Sequence, residues 1–173
     1  MAERILVVDD QRTTAEMTAG LLRNLGYHVE VALVAEAALG HIRAEAPDLV
    51  VCDIMMPGMD GYELCRRLRG DPATTLLPVI LVTSLDALQE RVNGIDAGAD
   101  DFLSKPVNWE ELFARVRSLL RIKRLQDEVK AWNAKLEERV REQVAQLEQL
   151  GRLKRFFSRP VAEAIVAGGE DIL

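Results

Sequence analysis

Leu49-Val50-Val51-Cys52-Asp53-Ile54-Met55-Met56-Pro57-Gly58-Met59-Asp60-Gly61 decides how the rest of this chain is read. Leu49 to Cys52 is an apolar run of strand length with no polar alternation, as in a strand buried on both faces. It ends in a carboxylate, Asp53. Asp60 stands immediately before Gly61 and reads as the N-cap of a helix over Gly61–Leu68. The stretch is therefore a strand, an acid at the strand's carboxyl end, a loop and a helix.

Working outward, the same alternation repeats. Ile5–Val8, Tyr27–Ala32, Val79–Val82 and Asp101–Leu103 read as strands. Thr13–Leu25, with Gly26 as its C-cap, Ala35–Glu45 ahead of Pro47, and Ala87–Ile95 read as helices. A last helix begins near Asn108. Five strands alternating with helices predict an α/β fold, a parallel sheet covered on both faces.

Composition sets the outer bounds. The chain has 173 residues, 49% of them hydrophobic, enough for one domain of ordinary size plus a short remainder. No apolar run approaches the ~18 residues that span a bilayer, and Met1-Ala2-Glu3-Arg4 has no export signal ahead of its strand. The expected compartment is the cytoplasm, with Cys52 and Cys65 as buried thiols lacking metal-ligand spacing. Charge divides along the chain. Residues 1–120 carry 11 basic and 19 acidic side chains, or −8, and residues 121–155 carry 10 and 6, or +4. The basic stretch interleaves both signs as a solvated helix does, so nucleic acid is not an expected partner and neither is a membrane.

In an open α/β sheet, ligands gather beyond the carboxyl ends of the strands. Asp9-Asp10, Asp53, Thr83-Ser84 and Lys105-Pro106 all fall there. Three carboxylates drawn together repel one another, and a hard divalent cation such as Mg²⁺ resolves the conflict. A carboxylate there can act as the nucleophile towards phosphorus while Lys105 neutralises one phosphate oxygen and Thr83 donates to another. No His or Cys joins Ser84 in this group, so a hydrolase triad is not expected.

The Asp9-Asp10 pair, the stretch from Asp53 to Gly61, Thr83-Ser84 and Phe102-Leu103-Ser104-Lys105-Pro106 together resemble the response-regulator receiver family, over residues 3 to about 122. The resemblance implies a flavodoxin-like fold of sheet order 2-1-3-4-5; receivers are themselves a standard example of that order. It also implies Asp53 as phosphoacceptor. Asp10 and Asp53 would ligate Mg²⁺ directly, Asp9 through water, and Met55 through its backbone carbonyl. Thr83 would be the switch hydroxyl, Phe102 the aromatic that swings inward, and Lys105, before a cis Pro106, the clamp on the phosphoryl group. The implied partner is a histidine kinase or phosphotransfer protein, and the implied chemistry of this chain is limited to its own phosphorylation and dephosphorylation.

Other polar groups read as structural. Asp100-Asp101 is expected to be a solvated turn rather than a second metal site. His28 and His41 are expected at the surface without carboxylate partners. Gly168-Gly169-Glu170-Asp171 is similar to a diguanylate cyclase signature, but that signature sits within a long catalytic domain, so no such role is expected of it here. Met55 and Leu85, flanking the site, hint at slow loss of the phosphoryl group.

From Glu110 to Gly151 no Gly or Pro interrupts a helical pattern. Its apolar stripe runs Leu125, Val129, Trp132, Leu136, Val140, Val144, Leu147, Leu150, in steps of 4, 3, 4, 4, 4, 3 and 3. That is heptad spacing with a stutter near Leu136–Val144, expected of a parallel homodimeric coiled coil that Gly151 ends. Leu153–Ala167 reads as an amphipathic tail containing Pro160. The segment Leu153 to Val166 resembles the one preceding the catalytic domain of class III adenylate/guanylate cyclases. The catalytic aspartates of such a cyclase would lie beyond Leu173, so no nucleotide is expected to be cyclised by this chain. The expected division is a receiver over 1–122, a coiled-coil signalling helix over 123–151, and a tail over 152–173 leading to an output domain. Alternatives are a different output enzyme, such as a diguanylate cyclase or phosphatase, or a stand-alone receiver whose coiled coil docks a protein partner.

Overall fold

The structure is a computed structural model that describes residues 2–84, 87–156 and 159–168. Five strands, β1 (Arg4–Val8), β2 (His28–Ala32), β3 (Leu49–Asp53), β4 (Val79–Thr83) and β5 (Asp101–Ser104), alternate with helices α1 (Arg12–Asn24), α2 (Ala35–Ala44), α3 (Gly61–Gly70), α4 (Ala87–Ala97) and α5 (Trp109–Phe156). A final helix, α6, spans Arg159–Gly168. The strands form one parallel sheet in the order β2-β1-β3-β4-β5, as expected. β1, β3 and β4 are almost wholly buried because helices cover both sides.

The two-residue period of the strands sorts the core into two halves. Leu6, Val8, Val50, Cys52, Val79 and Leu81 face α2, α3 and α4, which contribute Ala38, Ile42, Leu64, Leu68 and Ala97. Ile5, Val7, Leu49, Val51, Ile80, Val82 and Leu103 face α1 and α5, which contribute Ala15, Ala19, Leu22, Leu112, Val116 and Leu120. Each fully buried Leu, Ile or Val contributes about 1.5–3 kcal/mol, so both halves are needed to offset chain entropy. Gly26 turns the chain out of α1 with φ +94°, the left-handed conformation a C-terminal glycine supplies. Cys52 and Cys65 are free and buried, and burial pushes the Cys52 thiol well up, so it stays protonated.

Met1–Leu125 is one compact unit and Gln126–Leu173 another. Gly151, expected to end the long helix, lies inside α5, which continues to Phe156. A mid-helix glycine costs only about 1 kcal/mol, and the Leu, Gln, Glu, Arg and Lys residues around it are strong helix formers. Leu153–Phe156 belong to α5 and Pro160 to the first turn of α6, where a missing N–H costs no helical bond. No helix among the described residues is long and apolar enough to cross a membrane.

Two further structural expectations need correction. His28 and His41 both have a carboxylate neighbour: Glu30 lies 2.8 Å from His41 Nδ1 and 3.8 Å from His28 Nε2. His28 and Glu30 share a face of β2 through its two-residue period, and the crossover brings α2 beside them. Asp100-Asp101 is not a solvated turn. Arg69 Nη2 donates to Asp100 at 2.7 Å, and Arg115 Nη1 to Asp101 at 2.6 Å. Both arginines come from helices that only the tertiary fold brings there.

Candidate functional site

Each site residue owes its place to a strand end. β1 stops at Val8, so Asp9 and Asp10 sit just past its carboxyl edge. The Asp9 N–H still donates across to the Ala32 carbonyl at 3.1 Å, which holds Asp9 in the sheet's plane. Asp53 is the last residue of β3, and the next N–H, of Ile54, donates to the Val82 carbonyl at 3.0 Å. Thr83 closes β4, and its carbonyl accepts from the Lys105 N–H. Lys105-Pro106 is a cis peptide, as the resemblance implied.

The loop after Asp53 is tied back by Gly61. Its N–H donates to the Ile54 carbonyl at 3.0 Å, and a Cβ there would lie 2.6 Å from the Asp53 carbonyl oxygen. Only glycine permits that approach. Asp60 caps α3, its Oδ1 accepting from the Glu63 N–H at 2.8 Å, which confirms its structural role.

These elements bring the three acids together. One carboxylate oxygen from each of Asp9, Asp10 and Asp53 lies within 4.8 Å of the others. Asp9 and Asp53 are buried, and Asp10 is exposed. Lys105 Nζ donates to Asp53 Oδ2 at 2.9 Å and lies 3.9 Å from Asp9 Oδ2. The other Asp53 oxygen accepts from the Met55 N–H at 3.3 Å, while Asp9 Oδ1 accepts from the Gln11 N–H at 2.8 Å. Burial raises the Asp9 carboxyl above its ordinary value and the neighbouring Asp53 adds to the rise, while the Gln11 N–H and Lys105 pull the other way. The cluster thus holds more negative charge than one lysine offsets.

Thr83 is buried at the rim of this group and Ser84 is exposed. Phe102, two residues before Ser104, does not point at the acids. Its ring packs into the α2–α4 half of the core and its tip occupies the space a side chain at Gly94 would need: a Cβ there would lie 1.5 Å from Phe102 Cζ. Met55, two residues after Asp53, is 56% exposed. Leu85, Phe157, Ser158 and Gly169-Glu170-Asp171 lie outside the described residues.

Comparison with known proteins agrees with this geometry. The response regulator receiver domain matches residues 5–117. The chain belongs to the response-regulator receiver family. Response regulator PleD of Caulobacter vibrioides is 44% identical over 130 residues, 75% of this chain and 29% of that protein. Response regulator MprA of Mycobacterium tuberculosis is 50% identical over 121 residues, 70% of this chain and 52% of that protein. A putative response regulator from Chloroflexus aurantiacus superposes with a TM-score of 0.68 at 40% identity, covering 70% of this chain and 99% of that structure. The chain thus spans at most about half the length of these two curated relatives, and its shared part is the receiver of a two-component system.

Two residues were missed by the sequence reading: Gly94, against the Phe102 ring, and Trp109, which lines a cavity with Asp9, Asp53 and Lys105. Gly94 and Trp109 belong to no motif, and each meets its neighbour only through folding. No signal in the chain marks either of them.

Proposed function

We propose that this receiver takes a phosphoryl group on Asp53 from a histidine kinase or phosphotransfer protein and passes the change through α5 to an output domain. The observation that carries this reading is the Asp53 carboxylate, buried beside Asp9 and Asp10 and paired with Lys105 at 2.9 Å. An Asp53 oxygen attacks phosphorus in line with the leaving imidazole of a phosphohistidine. The P–N bond breaks as the P–O bond forms, the imidazole keeps the electron pair and picks up a proton, and Asp53 becomes an acyl phosphate. Lys105 follows the new phosphoryl oxygens, and the Thr83 hydroxyl donates to one of them. Attack of water on phosphorus later restores the carboxylate and releases inorganic phosphate.

The donor set fits Mg²⁺. Three hard carboxylate oxygens lie within one coordination sphere's reach and carry uncompensated charge. Asp10 and Asp53 would hold the ion directly, Asp9 through water and Met55 through its carbonyl. Bound there, Mg²⁺ supplies charge neutralisation for the phosphoryl group in transfer.

The apolar stripe of α5 supports a second copy of this chain as its partner. Leu125, Val129, Trp132, Leu136, Val140, Val144, Leu147 and Leu150 are between 48% and 68% exposed. A row of that length in water calls for a matching row, and heptad spacing suits the same helix in parallel. The resemblance of Leu153–Val166 to a cyclase's leading segment makes a class III nucleotide cyclase the output that this helix would align.

Phosphorylation with acetyl phosphate and Mg²⁺, followed by mass spectrometry, tests the central step. Wild-type protein gains one phosphoryl group and Asp53→Ala gains none. Equal labelling of the two would refute the assignment.

A further inference from the structure

The acid site borders both halves of the core, but not symmetrically. Alternation along β5 sends Phe102 to the α2–α4 half and Leu103 to the half shared by α1 and α5. The Phe102 ring, seated on Gly94, is therefore on the opposite side of the sheet from the root of α5. A signal bound for α5 has its shortest packed route on the Leu103 side.

A cavity of about 30 Å³, room for roughly one water molecule, lies on that side. Its wall includes Asp9, Asp53 and Lys105 of the acid site together with Val107, Trp109 and Leu112 from the chain entering α5. Trp109 is the first residue of α5 and is partly buried, whereas Leu112 is 1% exposed and fixed in the core. Strand residues Val7, Val51 and Val82 supply much of the remaining wall and are held by the sheet. Val107, Trp109 and Leu112 follow Lys105 along the chain into the helix, and of these Val107 and Trp109 are only partly buried. A close-packed interior transmits displacement by contact, and a gap beside a side chain that must move is where two packings can exchange.

We propose that this cavity is the coupling element between the acid site and α5, with Trp109 as its positioning residue. The proposal rests on the assignment of Asp53 as phosphoacceptor. Conversion of the Asp53 carboxylate to an acyl phosphate removes the charge that Lys105 Nζ pairs with at 2.9 Å and sets new anionic oxygens farther out. Lys105 moves with them, the cavity changes shape beneath it, and the Trp109 indole resettles against Val107. The first turn of α5 follows, and the helix carries that change along its length.

The full chain carrying Trp132→Phe leaves Trp109 as the sole tryptophan. Beryllofluoride and Mg²⁺ are added, and bound fluoride by ¹⁹F NMR and Trp109 emission are read on the same sample. The expected result is a shift in emission that saturates together with the bound-fluoride signal. Val7→Ile and Val82→Ile, each adding a methylene to the cavity from a different strand, keep the fluoride signal and cut the emission change by about half or more. Thr18→Val, a wall substitution that leaves the gap unfilled, keeps the full change. Full fluoride binding with no emission change, or an undiminished change in both filled variants, overturns the coupling and leaves the Asp53 assignment standing. Absence of bound fluoride overturns that assignment, and the coupling falls with it.

Discussion

Asp9 shows how a residue placed for function works against folding. Its carboxyl is raised by burial first and by Asp53 second, so the folded protein binds its proton more tightly than the unfolded chain does. The stability cost is absent below the unfolded value near 3.8 and grows as pH rises through the folded value. Asp9→Asn is therefore expected to stabilise the protein at pH 7, on the order of 1 kcal/mol, with the gain shrinking as pH falls through the folded value and gone below the unfolded value near 3.8. Urea titrations at several pH values check this, and a loss of stability at pH 7 would contradict it. Gly94 is the second case. With a Cβ only 1.5 Å from Phe102 Cζ, Gly94→Ala must expel the ring from its seat, at a cost of about 1–3 kcal/mol. Gly94→Ala combined with Phe102→Leu is expected to recover part of that loss in a double-mutant cycle. Additive losses would show that the two residues do not share the space.

Among the elements, α3 is locked at the amino edge of the sheet by one side chain. Arg69 donates to the Gly98, Thr75 and Leu77 carbonyls at 2.7, 3.1 and 2.8 Å and to Asp100 at 2.7 Å. Asp100 in turn accepts from the Val79 N–H, so a single guanidinium ties α3 to the loops entering β4 and β5. Arg69→Met keeps the apolar stem and strands the acceptors. It is expected to lower stability by about 3 kcal/mol in denaturant unfolding while phosphorylation at Asp53, on the other edge of the sheet, continues. At the scale of α5, Leu136→Glu puts a charge into the exposed stripe. Sedimentation should then show monomer where the unaltered chain shows dimer, and an unchanged mass would remove the case for pairing through that face.

The whole molecule consists of a unit with a two-sided core, Met1–Leu125, followed by Gln126–Leu173. All the buried side chains of α5, Leu112, Val116 and Leu120, lie in the first unit, and Arg124 adds an ion pair to Glu3 at 3.1 Å. A chain ending at Leu125 is thus expected to fold alone, to unfold in one transition and to accept phosphate from acetyl phosphate. Failure to fold would mean that the later helix supplies stability to the receiver. Success with loss of dimerisation would place the assembly signal after Leu125.

Much of this was legible in the residue order, because it depends on local or periodic features. Apolar runs of strand length, a capping aspartate before Gly61 and a glycine after α1 mark elements whose causes lie within a few residues. The acids at the ends of β1 and β3, with Lys105 after β5, could be gathered in advance because a parallel sheet aligns its strand ends. The charge partners could not be read. Arg69 reaches Asp100, 31 positions along the chain, and Glu30 meets His41 across a crossover. Nor could Gly151, whose place inside α5 depends on the summed propensity of its neighbours rather than on its own. The seat of Phe102 on Gly94 and the gap between Lys105 and Trp109 are matters of volume. Packing decides them only after both faces of the sheet are covered, and no short-range pattern in the chain encodes the space left over.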